Sequence, residues 1–275
     1  MRFKAFPWRQ IVCVLACAGV FVYAQERLEG RPRLRPAGEI GVALPLFIQV
    51  ALAGGDRYFA ANIAAVRALV TDPGKMTADE FHVLARVQED VSWLNPYHED
   101  NYYTAASVLP WYGQLESAQV ILRRAMLARP FDYQPGFFYG FDLLHFRHDP
   151  AAASAALREA ASRMPDDSDD RMMLENMAAR WLDRVDDLDM AIEVVEAMAK
   201  GGNRKDFRDY LKLRAQRLRM LKEVRTAAAA YRQQTGQPVR SLDQLVAARL
   251  LKAVPVDPFG MGFTIDANGR VFLKN

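Results

Sequence analysis

The strongest constraint on the fold is an internal echo in the middle of the chain. Ala118, Leu122, Ala125 and Pro130 recur as Ala153, Leu157, Ala160 and Pro165, every position displaced by 35 residues. Steps of four and three place the two alanines and the leucine on one face of a helix. The proline then closes that helix, because it cannot donate to the helical ladder. A unit this short cannot bury its apolar face alone, so it must stack on a neighbour. The echo therefore predicts two-helix units with alanines where helices cross closely.

The same pattern spreads outward from this centre. From Ile40 onward, runs such as AANIAAVRALV space apolar residues by three and four, with almost no strand-like alternation before the last residues. Gly113 precedes the second helix of a unit and Tyr102 stands near the start of the first. Together with the echo, these residues resemble the tetratricopeptide repeat over Trp93 to Pro165. The resemblance implies a mainly α, helical-hairpin array that binds other proteins, here given the bounds 40–221. Ala191 could head a third second-helix, and the segment from Leu44 to Val70 a divergent first pair.

The 275 residues are 51% hydrophobic, enough for a sizeable core, and the net charge of +3 gives no general affinity for nucleic acid. The only two cysteines, Cys13 and Cys17, both sit in the apolar N-terminal stretch, so the rest of the chain has neither a disulfide nor a thiolate metal site. Packing alone must stabilise it.

Arg2, Lys4 and Arg9 precede an uncharged run from Gln10 to Gln25. The leading expectation for residues 1–25 is a retained single-pass anchor in a bacterial inner membrane, with Trp8 at the interface and the main domain in the periplasm. A signal peptide cut after Val22-Tyr23-Ala24 is the alternative, and Cys17 closes a loose likeness to a lipoprotein box. Arg27, Arg31, Arg33 and Arg35 follow the run and weaken the charge asymmetry that orients such segments. Residues 26–39, rich in proline and glycine, are expected to be an extended linker. The uncharged run Ile40–Gly55 reads as a buried core helix, with a second span as the alternative.

Aromatic residues crowd between Trp93 and Phe146. Most should fill the core, while Tyr102, Tyr103, Trp111, Tyr112, Tyr133 and Phe138 are the candidates for a partner-binding groove. Arg204 to Arg225 forms a basic helix on which Arg208, Lys212 and Arg217 are candidates to meet anionic lipid or an acidic partner. The histidines lack any catalytic or metal-binding spacing, so no catalytic residue, metal or cofactor is expected. The rival enzymatic reading is a metal-dependent hydrolase built on His98, Glu99 and Asp100. The acidic set Asp166, Asp167, Asp169 and Asp170 reads as a solvated loop before a helix.

Residues 222–275 change character to helix, turn and hairpin, expected as a separate small module. Ser241 caps a short helix carrying Leu242 and Leu245, and VPVDPFG turns the chain into two strands around Asn268-Gly269. Tyr231, Gly236, Pro238, Leu242, Leu245, Leu251, Pro255, Asp257, Pro258, Phe259 and Gly260 resemble the C-terminal part of type II secretion pseudopilins. No glycine-phenylalanine start with a fifth-position glutamate opens the apolar segment, so prepilin processing is not implied. These features lead to one functional expectation: a membrane-anchored scaffold that binds protein partners in the envelope, within secretion, pilus or polysaccharide-export machinery.

Overall fold

The computed structural model describes residues 8–29, 40–202 and 204–274. Among them it contains twelve α-helices, three short 3-10 turns and one two-stranded sheet, so the mainly α expectation holds. The chain divides into two units, residues 1–41 and 42–275.

In the first unit, α1 (Trp8–Glu29) is a single 22-residue helix with Cys13 and Cys17 exposed and unpaired. The predicted membrane span is not found: no helix among the described residues is long and apolar enough to cross a membrane. The uncharged run from Gln10 to Gln25 would rise only about 24 Å as a helix, against a hydrocarbon core of roughly 30 Å. The helix also continues past the expected linker boundary at 26. Gly30 to Gly38, with Arg31, Arg33 and Arg35, lies outside the described residues, as do Arg2 and Lys4.

The second unit opens with α2 (Leu46–Leu52) and α3 (Arg57–Leu69). The buried core helix expected over Ile40–Gly55 is not there. α2 has seven residues and none is buried, because Gly54, Gly55 and the N-cap Asp56 start a new helix at once. α3 buries Ala60, Ala61, Ala64, Ala65 and Ala68 and packs on α4 (Ala78–Leu94). Thr77 and Glu80 close a reciprocal capping box at the start of α4.

Then come α5 (Glu99–Val108), the 3-10 turn Leu109–Tyr112, α6 (Leu115–Ala128), α7 (Tyr133–His145), α8 (Pro150–Ser162), α9 (Asp169–Trp181), the 3-10 turn Leu182–Arg184 and α10 (Leu188–Gly201). The starts of α7, α8, α9 and α10 are fixed locally: Asp132, Asp149, Ser168 and Asp187 each accept a hydrogen bond from a backbone N–H of the first turn. Short connections then make each helix pack on the next through most of this run, α6 on α7, α7 on α8 and α8 on α9.

Every helical residue of the echo is buried. Ala118, Leu122 and Ala125 lie on α6, and Ala153, Leu157 and Ala160 on α8, none more than 3% exposed. The predicted close crossing is present at Ala160. A Cβ placed on Gly136 of α7 would collide with the Ala160 Cβ and lie 3.2 Å from Met126 Sδ. One on Gly140 would meet Leu157 Cδ2 at 3.0 Å and Trp181 Cζ3 at 3.1 Å. Glycines four apart thus let α7 settle onto α8, at some cost in helix propensity.

α11 (Lys205–Thr235) runs for 31 residues, and the expected domain boundary at 221/222 falls inside it. The tail is not a separate module. α12 (Leu242–Ala247) and the antiparallel pair β1 (Phe263–Ile265) and β2 (Val271–Leu273) pack on α11. Val239, Leu245, Leu251, Val271 and Leu273 belong to the same buried cluster as Val195 of α10 and Leu211, Leu218 and Leu221 of α11. A hairpin of three-residue strands is marginal alone and needs this shared surface.

Two outcomes follow for stability. Ala160→Arg should destabilise the protein by roughly 3 kcal/mol or more, since the Gly136 backbone and the buried Met126 crowd that position. Urea unfolding of this variant beside Leu127→Arg, at a half-exposed site on α6, separates crossing strain from mere added charge. Near-equal midpoints for the two variants would contradict the packing.

The second concerns Asp142 of α7, which is 2% exposed, with Oδ2 lacking a hydrogen-bond partner. Burial pushes its carboxyl from the ordinary 3.8 up to about 7. The folded state therefore holds a proton that the unfolded chain releases, so stability falls as pH rises from about 4 through about 7. Asp142→Asn should remove that loss, worth up to about 4 kcal/mol above pH 7. Melting curves across this range check it; a wild-type-like pH profile in the variant would refute it.

Candidate functional site

The glycine face of α7 is turned to α8, which leaves its other side to aromatic residues. Phe137, Phe141 and His145 are spaced by four, with Phe138 beside them. Their rings run in sequence: Phe137 to Phe138 at 5.5 Å, Phe137 to Phe141 at 6.5 Å, and Phe141 stacked on His145 at 5.2 Å. α5 extends the stripe at one end through Tyr103, whose ring meets Phe138 edge-on at 5.9 Å. At the other end Trp111, on the 3-10 turn after α5, lies 5.3 Å from His145 and 4.9 Å from Phe146. A continuous aromatic stripe thus crosses from α5 along α7 to the turn. Its terminus is open, Trp111 being 57% exposed.

The six predicted partner-binding residues do not share one fate. Tyr103, Phe138 and Trp111 lie in the stripe. Tyr112 is also exposed, but its ring stacks on Phe81 of α4 at 4.0 Å. Tyr133 is half-buried against the cluster of Met126, Leu157, Ala160 and Ala161. Tyr102 is corrected outright: it is 1% exposed and cannot meet a partner. Its hydroxyl donates to Asp132 Oδ2 at 2.7 Å, and Arg129 Nε binds the same oxygen at 2.7 Å. Burial, followed by the Asp132 carboxylate, holds the Tyr102 phenol well above its ordinary range. Tyr102 therefore ties α5 to the α6–α7 corner.

Phe137, Phe141 and His145 were not among the predicted site residues. Their spacing of four was legible, but the sequence alone could not tell which face of an aromatic-rich helix the glycines would turn inward.

The basic helix needs a similar correction. Arg217 is 1% exposed and pairs with Asp257 at 3.0 Å, so it meets neither lipid nor an external partner. Arg214 is buried on Asp183. Lys212 pairs with Asp209 at 2.8 Å, and Arg208 Nη1 donates to the Gly202 carbonyl at 3.1 Å. Arg219 and Lys222 reach Glu196 and Asp189 of α10. Much of the positive charge expected to face outward is thus engaged within the fold.

The residues of the hydrolase reading do not converge. Glu99 pairs with Arg129 at 2.9 Å, and His98 stands at the N-cap of α5 without capping it. Among the described residues no three His, Cys, Asp or Glu side chains are grouped to hold a metal ion. In the acidic loop, Asp166 pairs with Arg171 and Asp169 approaches Arg204 at 3.6 Å, while Ser168 caps α9.

The stripe offers polarisable ring faces and edges with one imidazole among them. Such a surface can hold an extended or helical apolar segment, since aromatic side chains supply large contact area with few rotors to freeze. Compared with protein-family models, curated proteins and solved structures, the chain matches none.

Proposed function

We propose that this chain is an interaction scaffold of the bacterial envelope, a tetratricopeptide-like array attached to the inner membrane through its N-terminal segment, and not an enzyme. The observation that carries the reading is the aromatic stripe of Tyr103, Phe138, Phe141, His145 and Trp111, half-buried at the first three residues and exposed at His145 and Trp111, set on closely packed helices. A rigid platform with open aromatic anchors lowers the entropic cost of capturing a partner segment. The 35-residue echo and its buried alanines support the repeat reading. Membrane attachment, a periplasmic main domain and a role in secretion, pilus or polysaccharide-export machinery rest on the sequence alone.

A photo-crosslinking residue at Trp111, in cells carrying the full chain, should give a discrete protein adduct that the same probe at Gln216, exposed on α11, does not. Trp111→Ala should weaken capture of that partner by about 2 kcal/mol, roughly thirtyfold. Identical adducts at both positions, or none, would refute the scaffold surface. Attachment is tested separately: carbonate-washed membranes should retain the full-length chain, and release of a form beginning near Gln25 would refute a retained anchor.

A further inference from the structure

A second feature lies far along the chain from the aromatic stripe. Three arginines of α11 have carboxylate partners, Arg214, Arg217 and Arg219, as does Arg204 at its N-cap. Arg225 and Arg232 make no ion pair among the described residues, although they sit two turns apart on one face of the same helix. Both line a cleft of about 460 Å³ between α11 and the β1–β2 turn, and Arg270 of that turn lines it as well.

Arg225 is held in place before any ligand arrives. Its Nε donates to the Val271 carbonyl at 2.9 Å, and its guanidinium lies 5.7 Å from the centre of the Phe272 ring. Its two Nη groups have no acceptor among the described residues. Arg270 approaches the same ring at 5.1 Å and pairs outward with Asp186. The single carboxylate lining the cleft, Asp266, accepts from the backbone N–H groups of Asn268 and Arg270. Ala228 and Ala229 keep the helix side of the cleft low. Burial, and then the neighbouring charge of Arg270, make Arg225 a weaker base than usual, while Asp186, already paired with Arg270, opposes the shift.

We propose that this cleft is a phosphate-binding site, in which Arg225, Arg232 and Arg270 take a phosphate monoester, whether free in solution or carried as a lipid headgroup. Guanidinium groups bind phosphate through paired, charge-assisted hydrogen bonds, and a dianion adds to the counter-charge that Asp186 and Asp266 give the three arginines.

The test uses the full chain titrated calorimetrically with inorganic phosphate and with glycerol phosphate, against chloride at matched ionic strength. Wild type should bind saturably at one site. Arg232→Gln, whose side chain makes no hydrogen bond or ion pair among the described residues, should keep the wild-type melting temperature and bind about tenfold more weakly. Arg225→Gln should lose binding too, but it also releases the Val271 carbonyl, so Arg232→Gln is decisive. No saturable binding by wild type up to ~10 mM, or equal affinity in wild type and Arg232→Gln, would overturn the site. Flotation of the full chain, scored as retention on phosphatidic acid vesicles in excess of that on phosphatidylcholine vesicles, which the N-terminal segment would hold equally, distinguishes the source. An excess that Arg232→Gln abolishes assigns a lipid headgroup, and soluble binding with no such excess assigns a free phosphate ester.

Discussion

A buried arginine organises the C-terminal half of the protein. Arg217 sits in the middle of α11 at 1% exposure, and a charge there is tolerable only if it is paired and hydrogen-bonded. Three groups meet that need. Asp257 approaches at 3.0 Å, Asp183 of the turn after α9 at 3.7 Å, and the carbonyl of Lys274 accepts a further hydrogen bond. Phe259 places its ring 5.6 Å from the guanidinium. Each partner comes from a different stretch of chain, so the charge can be satisfied only when all of them have arrived.

The VPVDPFG turn gains its meaning from this demand. Pro255 and Pro258 restrict the backbone on either side of Asp257. The Asp257 carboxylate also accepts from the N–H groups of Phe259 at 3.1 Å and Gly262 at 2.8 Å. Burial opposes ionisation there, but those two N–H groups and Arg217 outweigh it and hold the carboxyl below its usual range. One side chain thus shapes the turn, neutralises the arginine and points the hairpin at α11. The tail is thereby part of the same core as α10 and α11, and the phosphate cleft exists only because β2 is seated against Arg225.

Much of the helical body was legible in the sequence, because its determinants are local and periodic. The echo placed Ala118, Leu122, Ala125 and their counterparts inside, and singled out Ala160 as a crossing point. The misreadings share a cause: residue type was taken as a proxy for exposure. Tyr102 and Arg217 belong to types common at binding surfaces, yet each is buried around a carboxylate distant in sequence. A helical-wheel signal did exist for the arginine, since Arg214 and Arg217 fall at spacings of three and four from Leu211, Leu218 and Leu221 on the apolar face. Its partner Asp257 carried no such signal, because a contact forty residues away is set by the fold. At the aromatic stripe, Tyr103, Phe138 and Trp111 were legible from crowding alone, while His145 stood out only as one of the histidines without catalytic or metal-binding spacing. The uncharged run Ile40–Gly55 suggested a core helix, but the glycines that follow α2 leave it too short to enter the core.

The dependence of the whole C-terminal half on the Arg217 pair is tested most directly by native-state hydrogen exchange on Asp257→Asn, a near-isosteric change that leaves the arginine buried without its nearest carboxylate. Removing one partner of such a pair costs about 3–5 kcal/mol. Protection should fall together across α10, α11 and the β1–β2 hairpin, as expected of one cooperative unit. Loss confined to residues 257–274, with α10 and α11 protected as in wild type, would show that the tail is an independent module and that Arg217 does not hold the fold together.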